Sequence, residues 1–383
     1  MSRIPSFEIA VVGGGPAGTT AAYLLARNGL DVCLLEQRVF PRPKLCAGLL
    51  TWKTVKLIET LFKTDVRALK RDGIIHHACR KYRIHFKSLE IARGSLEDPF
   101  HFTDRRVYDA YWMSKTHAAG VYVDAPARVI RVDHEAGVVD LSDGRRIKAQ
   151  LIIGADGIWS RVRRTLLANQ PSHRQWRFNL ATCMEAHLPY GSGISRTRFA
   201  NLYFGHAPWG YAWSFPGACF QTVGICSLTR RHPHSIRSAL ATLAEQLQID
   251  MELLKHARSY PLPYGNYMLR PAGKRALLTG DACGLADPLL GEGIYYAHRS
   301  AQIAARTIVD CAPHWQDAAE HYTRQLNAMV IKEFNWIYLI RNALFVGGAR
   351  RRYRGLKLLM KLIPKRLEAT IQGRRPFSRL WKP

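Results

Sequence analysis

A glycine-rich segment near the start of the chain has the residue types needed to hold a phosphate group. Residues 13–18 read Gly-Gly-Gly-Pro-Ala-Gly and follow the apolar stretch Phe7–Val12. Gly13 permits a tight turn, Gly15 lets the backbone approach a pyrophosphate, and Gly18 lets a helix pack on the preceding strand. The N-terminus of that helix would supply N–H groups and the positive end of its dipole.

An acidic residue stands at a suitable distance from these glycines. Glu36 closes the apolar segment Val32–Leu35, 18 residues after Gly18. In that position its carboxylate would accept hydrogen bonds from ribose hydroxyls. The order of strand, glycine loop, helix, strand and acidic residue predicts a dinucleotide-binding βαβ unit. The alternative, a glycine-rich turn in another kind of α/β protein, is the weaker interpretation in this context.

Two further acidic residues follow short apolar segments later in the chain. Asp156 lies in an Ala-Asp-Gly sequence after Leu151–Gly154, and Asp281 follows Ala276–Leu278. The stretch Gly291–Ile294 then leads into a predicted helix. Together with the first glycine motif, these segments resemble the three fingerprints of the aromatic-hydroxylase-like FAD superfamily. The resemblance implies that Asp281 binds ribityl hydroxyls and that the helix dipole stabilises the anionic reduced flavin.

Three shorter motifs narrow the resemblance to one family. Residues 41–48 read Pro-Arg-Pro-Lys-Leu-Cys-Ala-Gly, similar to P-x-x-K-x-C-[GA]-G. Tyr211–Pro216 matches Y-x-W-x-F-P, and Arg105–Asp109 fits R-x-x-[FY]-D. These motifs resemble those of the geranylgeranyl reductase family. One departure is Gly217, where many relatives carry Lys, and it affects the expected contacts to a substrate headgroup rather than to the flavin.

The resemblance implies FAD as the cofactor and a set of residues that hold it. The implied FAD-binding residues are Gly13, Gly15, Ala17, Gly18, Glu36, Cys46, Ala47, Gly48, Arg105, Val129, Asp156, Asp281, Gly291, Gly293 and Ile294. Cys46 is also the candidate catalytic residue, because the resemblance places it beside the flavin and Lys44 would favour its thiolate. The alternative is that Cys46 is a small packing residue in a tight loop. No Cys-x-x-Cys pair or zinc-like spacing occurs, so we expect no metal.

Three aromatic residues form the candidate substrate-binding wall. Tyr211, Trp213 and Phe215 alternate along the chain, so on a strand they share one face. The resemblance implies an apolar tunnel that holds an isoprenoid chain, and such pockets are mostly apolar and aromatic. The alternative is ordinary sheet core, which aromatic residues also favour.

The predicted fold class is α/β, with a Rossmann-type FAD-binding domain interrupted by an antiparallel-sheet substrate domain and followed by a helical C-terminal region. We expect residues 1–170 to form the first part of the FAD-binding domain and residues 171–265 the antiparallel sheet. Residues 266–312 return to the FAD-binding domain, because the strand before Asp281 belongs with the first sheet. Residues 313–383 are predicted to be helical and to end in a basic tail.

The net charge of +27 is unusual and predicts attraction to nucleic acid, anionic lipid or an acidic substrate. Residues 341–383 contain 13 Lys or Arg and one acidic residue, Glu368, so they carry 12 of these charges. Within them Leu356, Leu359, Met360, Ile363 and Leu367 follow helical spacing, although Pro364 would kink the helix. A basic amphipathic helix indicates contact with an anionic membrane surface, with the apolar stripe inserted and Phe377 and Trp381 at the interface. The alternative is that the stripe packs on the protein core.

The resemblance implies hydride transfer from reduced flavin to a carbon–carbon double bond of an isoprenoid lipid. NAD(P)H, bound transiently, or a protein electron donor would reduce the FAD, since no second dinucleotide fingerprint appears. The competing hypotheses are an FAD-dependent monooxygenase or halogenase and a quinone-linked electron-transfer flavoprotein. A nucleic-acid-binding flavin sensor is suggested by charge alone, and no nucleic-acid-binding motif supports it.

The cellular location follows from what the sequence contains. The eight cysteines are scattered, which is typical of a reducing compartment. We see no signal-peptide pattern and no run of 18 apolar residues. These features predict a cytoplasmic enzyme that is peripheral to the membrane.

Overall fold

The apolar segment that precedes the first glycine motif is a central strand of a largely parallel sheet. A computed structural model describes residues 4–167, 176–191, 193–231, 235–346 and 349–381. The strands of its first sheet are β1 (Ser6–Val12), β2 (Val32–Leu35), β6 (Tyr122–Asp124), β7 (Val129–Asp133), β8 (Val138–Leu141), β9 (Arg146–Gly154), β15 (Ala272–Gly273) and β16 (Ala276–Leu278). Their order is β15-β16-β9-β1-β2-β6, with β8 pairing to β7 and β9. The run from β16 to β6 is parallel.

The second sheet is mostly antiparallel. Its strands are β3 (Leu49–Leu50), β4 (His77–Phe86), β5 (Leu89–Phe102), β10 (Leu180–Pro189), β11 (Phe199–Phe204), β12 (Gly210–Pro216), β13 (Phe220–Leu228) and β14 (Arg258–Pro263). They lie in the order β14-β10-β13-β12-β11-β4-β5-β3, and only the β11–β4 pair among these is parallel. The predicted α/β class, with a parallel sheet and a separate antiparallel one, is confirmed.

Strands β3 to β5 come from residues 49–102. These residues lie within 1–170, which we predicted to form the first part of the FAD-binding domain. Their pattern is obscured because charged side chains interrupt β4, where Arg80, Lys81 and Arg83 lie close together. The domain boundaries themselves remain a prediction.

The helices pack on both sheets and form the end of the described chain. They are α1 (Pro16–Arg27), α2 (Trp52–Phe62), α3 (Val66–Arg71), α4 (Arg105–Ala118), α5 (Arg161–Leu166), α6 (Ile236–Gln246), α7 (Ile294–Cys311), α8 (Ala318–Leu326), α9 (Lys332–Phe345), α10 (Ala349–Leu362) and α11 (Pro364–Ile371). Helix α1 ends at Arg27, and Gly29 follows with a positive φ of 83°, which allows the chain to turn back into β2. None of the described helices has the length and apolar character that a membrane span needs.

The apolar stripe of the C-terminal helices packs on the protein core, so its expected insertion into a membrane is wrong. Met360 and Leu367 are buried in a cluster with the second sheet, and Leu356 and Ile363 pack against the same cluster. The helix is interrupted before Pro364, which starts α11. This interruption lets α10 and α11 each turn one face inward. The side chain of Leu359 lies outside the description. Phe377 is buried too, whereas Trp381 is exposed.

Candidate active site

One cavity of about 1280 Å³ lies where the two sheets meet. Its lining includes residues at the carboxyl ends of β1, β2 and β9, which is the edge where ligands bind in parallel α/β sheets. The lining continues along β10, β12 and β13 of the second sheet. Of the predicted FAD- and substrate-binding residues, those that line it are Gly13, Gly15, Ala17, Glu36, Cys46, Ala47, Gly48, Arg105, Val129, Asp156, Tyr211, Trp213, Phe215, Asp281, Gly291, Gly293 and Ile294.

Gly18 is the one predicted residue outside that lining, and it acts on the loop instead. A Cβ on Gly18 would lie 1.8 Å from the carbonyl oxygen of Gly13, so only glycine lets α1 approach the loop. Gly13 has a φ of 103°, which a side chain rarely tolerates. At Gly15, by contrast, a Cβ would meet only the Arg42 side chain at 3.8 Å. The open space in front of Gly15 fits a phosphate group that approaches the backbone.

Glu36 is fixed at the end of β2 with both carboxylate oxygens engaged. The N–H of Gly14 donates to Oε2 at 2.8 Å and the N–H of Arg38 donates to Oε1 at 3.0 Å. Arg42 lies 3.6 Å from Oε2. Each carboxylate oxygen can accept more than one hydrogen bond, so the group keeps capacity for ribose hydroxyls.

Asp156 and Asp281 lie on the same cavity, after β9 and β16. The N–H of Arg161 donates to Asp156 Oδ2 at 2.6 Å, whereas Oδ1 is buried and has no hydrogen-bond partner among the described residues. Burial raises the pKa of Asp156 above its usual value. A Cβ on Gly293 would come within 3.5 Å of Asp281 Oδ1, which shows how closely the start of α7 approaches this carboxylate.

A buried group of charges surrounds Cys46. Arg105 makes two hydrogen bonds to Asp109, of 2.8 and 2.9 Å, and Arg42 approaches the same carboxylate at 3.3 Å. Burial lowers the pKa of Arg105, but Asp109 and Cys46 outweigh this effect and the net shift is upward. Burial lowers the pKa of Lys44 to about 8 despite the opposing charge of Asp281. Arg105 and Lys44 therefore both interact electrostatically with the side chain of Cys46.

The other half of the cavity is largely apolar. Trp213 and Phe215 are buried. The ring centroids of Tyr211 and Trp213 are 5.9 Å apart, and those of Trp213 and Phe215 are 6.4 Å apart. The Tyr211 hydroxyl donates to the carbonyl of Leu290, which ties this wall to the loop before α7.

Sequence reasoning missed the residues that close the apolar half. Glu368 and Ile371 of α11 also line the cavity, and Ile371 packs against the apolar cluster of the second sheet. The Tyr82 hydroxyl on β4 donates to Glu368 at 2.6 Å. Glu368 is the single acidic residue in 341–383, which was the available signal that it faces inward rather than toward solvent.

Comparisons with known proteins agree with this geometry. Residues 6–309 match the protein family described as "FAD binding domain". A geranylgeranyl diphosphate reductase of Rhodobacter capsulatus is 27% identical over 310 residues, which are 78% of this chain and 74% of that protein. A menaquinone reductase of Mycolicibacterium smegmatis is 28% identical over 342 residues, 83% of this chain and 81% of that protein.

A solved structure confirms the fold. It is that of a geranylgeranyl bacteriochlorophyll reductase-like protein from Thermoplasma acidophilum, which is 18% identical and has a TM-score of 0.78. The match covers 99% of this chain and 98% of that one. The resemblance to geranylgeranyl reductases that the motifs predicted is confirmed.

Proposed function

On the premise that the chain belongs to the FAD-binding domain family and is an FAD-dependent oxidoreductase, we propose that it reduces carbon–carbon double bonds of an isoprenoid lipid. The observation that carries this proposal is the continuity of the cavity. Its polar half contains phosphate- and ribose-binding groups, and its apolar half is walled by aromatic rings. A single space of this kind brings a flavin and an apolar chain together.

The polar half is assigned to FAD. The glycine loop at 13–15 and Ala17 hold the pyrophosphate, and Glu36 accepts from the ribose. Asp281 accepts from the ribityl chain, and Arg105, Val129, Asp156 and the 46–48 and 291–294 loops complete the site. When bound, FAD supplies the hydride. NAD(P)H, bound transiently, or a protein electron donor then reduces the FAD again.

The apolar half is assigned to the isoprenoid chain. Tyr211, Trp213 and Phe215 form one wall, and Ile371 of α11 is also part of the lining. The wall orients a double bond toward the 291–294 loop, to which Tyr211 is hydrogen-bonded through Leu290. The printed names of several relatives, such as the digeranylgeranylglycerophospholipid reductase of Methanopyrus kandleri, support an isoprenoid substrate.

The test is an anaerobic single turnover. The protein, reduced beforehand with dithionite, is mixed with a geranylgeranyl lipid, and we expect flavin oxidation together with a product two mass units heavier. Solved structures of similar fold include a probable FAD-dependent monooxygenase, an oxygenase and a flavin-dependent brominase at 16 to 20% identity. In a parallel aerobic reaction, oxygen consumption with an oxygenated product would assign the chain to that alternative, and absence of flavin oxidation by the lipid in the anaerobic reaction would refute the reductase.

We also propose that the enzyme works in the cytoplasm at an anionic membrane surface. With the apolar stripe packed inward, the outer face of the C-terminal helices presents Lys357, Lys361 and Lys365 to solvent. Leu358 and Leu362 lie among them and are 55% and 66% exposed. Basic side chains interleaved with exposed leucines favour an anionic bilayer, in which the substrate is dissolved. We refer to these five residues as the basic face.

A further inference from the structure

A buried ion pair joins the start of α2 to the loop before α7. Lys53 Nζ lies 2.7 Å from Glu292 Oε2, and the two side chains are 13% and 10% exposed. The hydroxyls of Thr51 and Thr54 donate to Glu292 Oε1 at 2.6 and 3.0 Å. Both oxygens of this carboxylate are thus held by the first turn of α2, so Glu292 has one defined position.

Lys53 is enclosed on its other sides. Its ammonium lies 3.3 Å from the Tyr296 hydroxyl and within 4.7 Å of the ring centroids of Tyr295 and Tyr296. A Cβ on Gly373 would lie 2.2 Å from the Lys53 stem, which shows how tightly the end of the C-terminal helices covers it. Burial lowers the pKa of Lys53, but Glu292 and its other neighbours outweigh this effect and raise it above its usual value. Lys53 is therefore a permanent buried cation.

The ion pair belongs to the loop that lines the cavity. Glu292 lies between Gly291 and Gly293, and all three line the cavity directly before α7 begins at Ile294. The loop is closed on itself, because the N–H of Asp287 donates to the carbonyl of Glu292 at 3.0 Å. A charge fixed on Glu292 or Lys53 is consequently fixed relative to whatever the loop contacts.

We propose that Lys53 is a positioning residue that acts through Glu292 to set the reduction potential of bound FAD. The inference rests on the proposed place of the flavin at residues 291–294. Reduction to the anionic form adds one negative charge there. In a buried, low-dielectric site a fixed cation favours that charge and a fixed anion opposes it. The positive charge of Lys53 balances the negative charge of Glu292. The Glu292 carboxylate can therefore hold the loop without opposing the reduction of FAD.

The charges predict effects of opposite sign, which a purely structural ion pair does not. Lys53→Met leaves Glu292 unbalanced and disfavours reduction. Glu292→Gln keeps an acceptor for the threonine hydroxyls and removes one negative charge beside Lys53, which keeps Asp287 as an acidic neighbour, so it favours reduction. The double variant Lys53→Met/Glu292→Gln returns the net charge to that of the wild type. Lys56→Met is the matched control, because Lys56 is on the same helix but exposed and paired with Glu59.

The measurement is the midpoint potential of the FAD-loaded protein, by equilibration with reference dyes. We expect Lys53→Met to lower, and Glu292→Gln to raise, the equilibrium constant for two-electron reduction by at least about tenfold, which is 29.6 mV for such a couple. The double variant should lie between them, and Lys56→Met and Lys53→Arg should match the wild type. Unchanged potentials, or shifts of the same sign in both single variants, overturn the proposal.

The outcomes separate this inference from the function on which it rests. If the wild type cannot be loaded with FAD, the proposed function fails and not only the role of Lys53. If Lys53→Met alone loses FAD, the direction of the Glu292→Gln shift decides, since that variant keeps the threonine contacts. A downward shift, or none, in Glu292→Gln then refutes the electrostatic role.

Discussion

Removal of three lysines from the basic face should greatly weaken binding to anionic vesicles. Lys357, Lys361 and Lys365 are exposed and project from the last two helices. Each basic residue near an anionic surface contributes about 1 kcal/mol. Replacing all three with Gln should therefore cost about 3 kcal/mol, or roughly 150-fold in the partition coefficient at low salt.

The assay is co-sedimentation with vesicles that contain anionic phospholipid, with neutral vesicles alongside. The matched control replaces Lys56, Lys255 and Lys274 with Gln, since these lysines are at least half exposed and lie on other parts of the molecule. Both triple variants lose the same net charge. Salt should weaken wild-type binding, because the Debye length falls from about 10 Å at 0.1 M to about 3 Å at 1 M.

Three results would count against this reasoning. An equal loss in both triple variants would show that only the overall charge of the chain matters. Equal binding of the wild type to neutral vesicles would remove the electrostatic basis. Tighter binding to duplex DNA than to anionic vesicles would favour nucleic acid as the polyanion.

Leu358→Ser/Leu362→Ser should additionally weaken binding at high salt, where only apolar contacts remain.

Three further predictions concern the flavin site and stability. Glu36→Ala and Asp281→Ala should each lower FAD affinity about 5- to 150-fold, because hydroxyls that lose their acceptor cost about 1–3 kcal/mol. Fluorescence titration of the apoprotein with FAD measures this affinity. Cys46→Ala should keep FAD but change the rate at which substrate oxidises the reduced protein in anaerobic stopped flow; an unchanged rate would leave Cys46 as a packing residue. His298 is fully buried between Thr20 and Tyr108, and burial lowers its pKa to about 3. The unfolded chain takes up this proton near pH 6.5 and the folded chain does not, so stability should fall as the pH drops from 6.5 toward 3. Urea unfolding should show that dependence reduced in His298→Asn, and parallel pH profiles would refute it.

Sequence motifs predicted which residues line the polar half of the cavity, because these residues follow the ends of strands. The glycines at 13–18 and Glu36 directly follow parallel strands, Asp156 comes two residues after one, and such strands end at one edge of a sheet. Knowing the strands therefore places the residues together without knowing how the chain packs elsewhere.

The contacts of the apolar half of the cavity and of the Lys53–Glu292 ion pair were not predicted, because they join distant segments of the chain. Tyr82 and Glu368 are 286 residues apart, and Lys53 and Glu292 are 239 apart. A lysine in the first turn of a helix looks like any solvated lysine until the partner is known. The apolar stripe of α10 and α11 had two interpretations, and helical spacing alone does not say whether core or lipid covers it.

Helix α11 and Gln372, which follows it, connect the basic face, the cavity and the Lys53–Glu292 ion pair. Lys365 is exposed, Glu368 and Ile371 line the cavity, and the carbonyl of Gln372 accepts from the N–H of Lys53 at 3.1 Å. Deleting the tail would therefore open the cavity and uncover the ion pair as well as remove positive charge. A loss of activity in such a truncation would not identify its cause. Substitutions at exposed positions of the basic face test membrane contact without opening the cavity or uncovering the ion pair, because the substituted side chains touch neither the cavity nor Lys53.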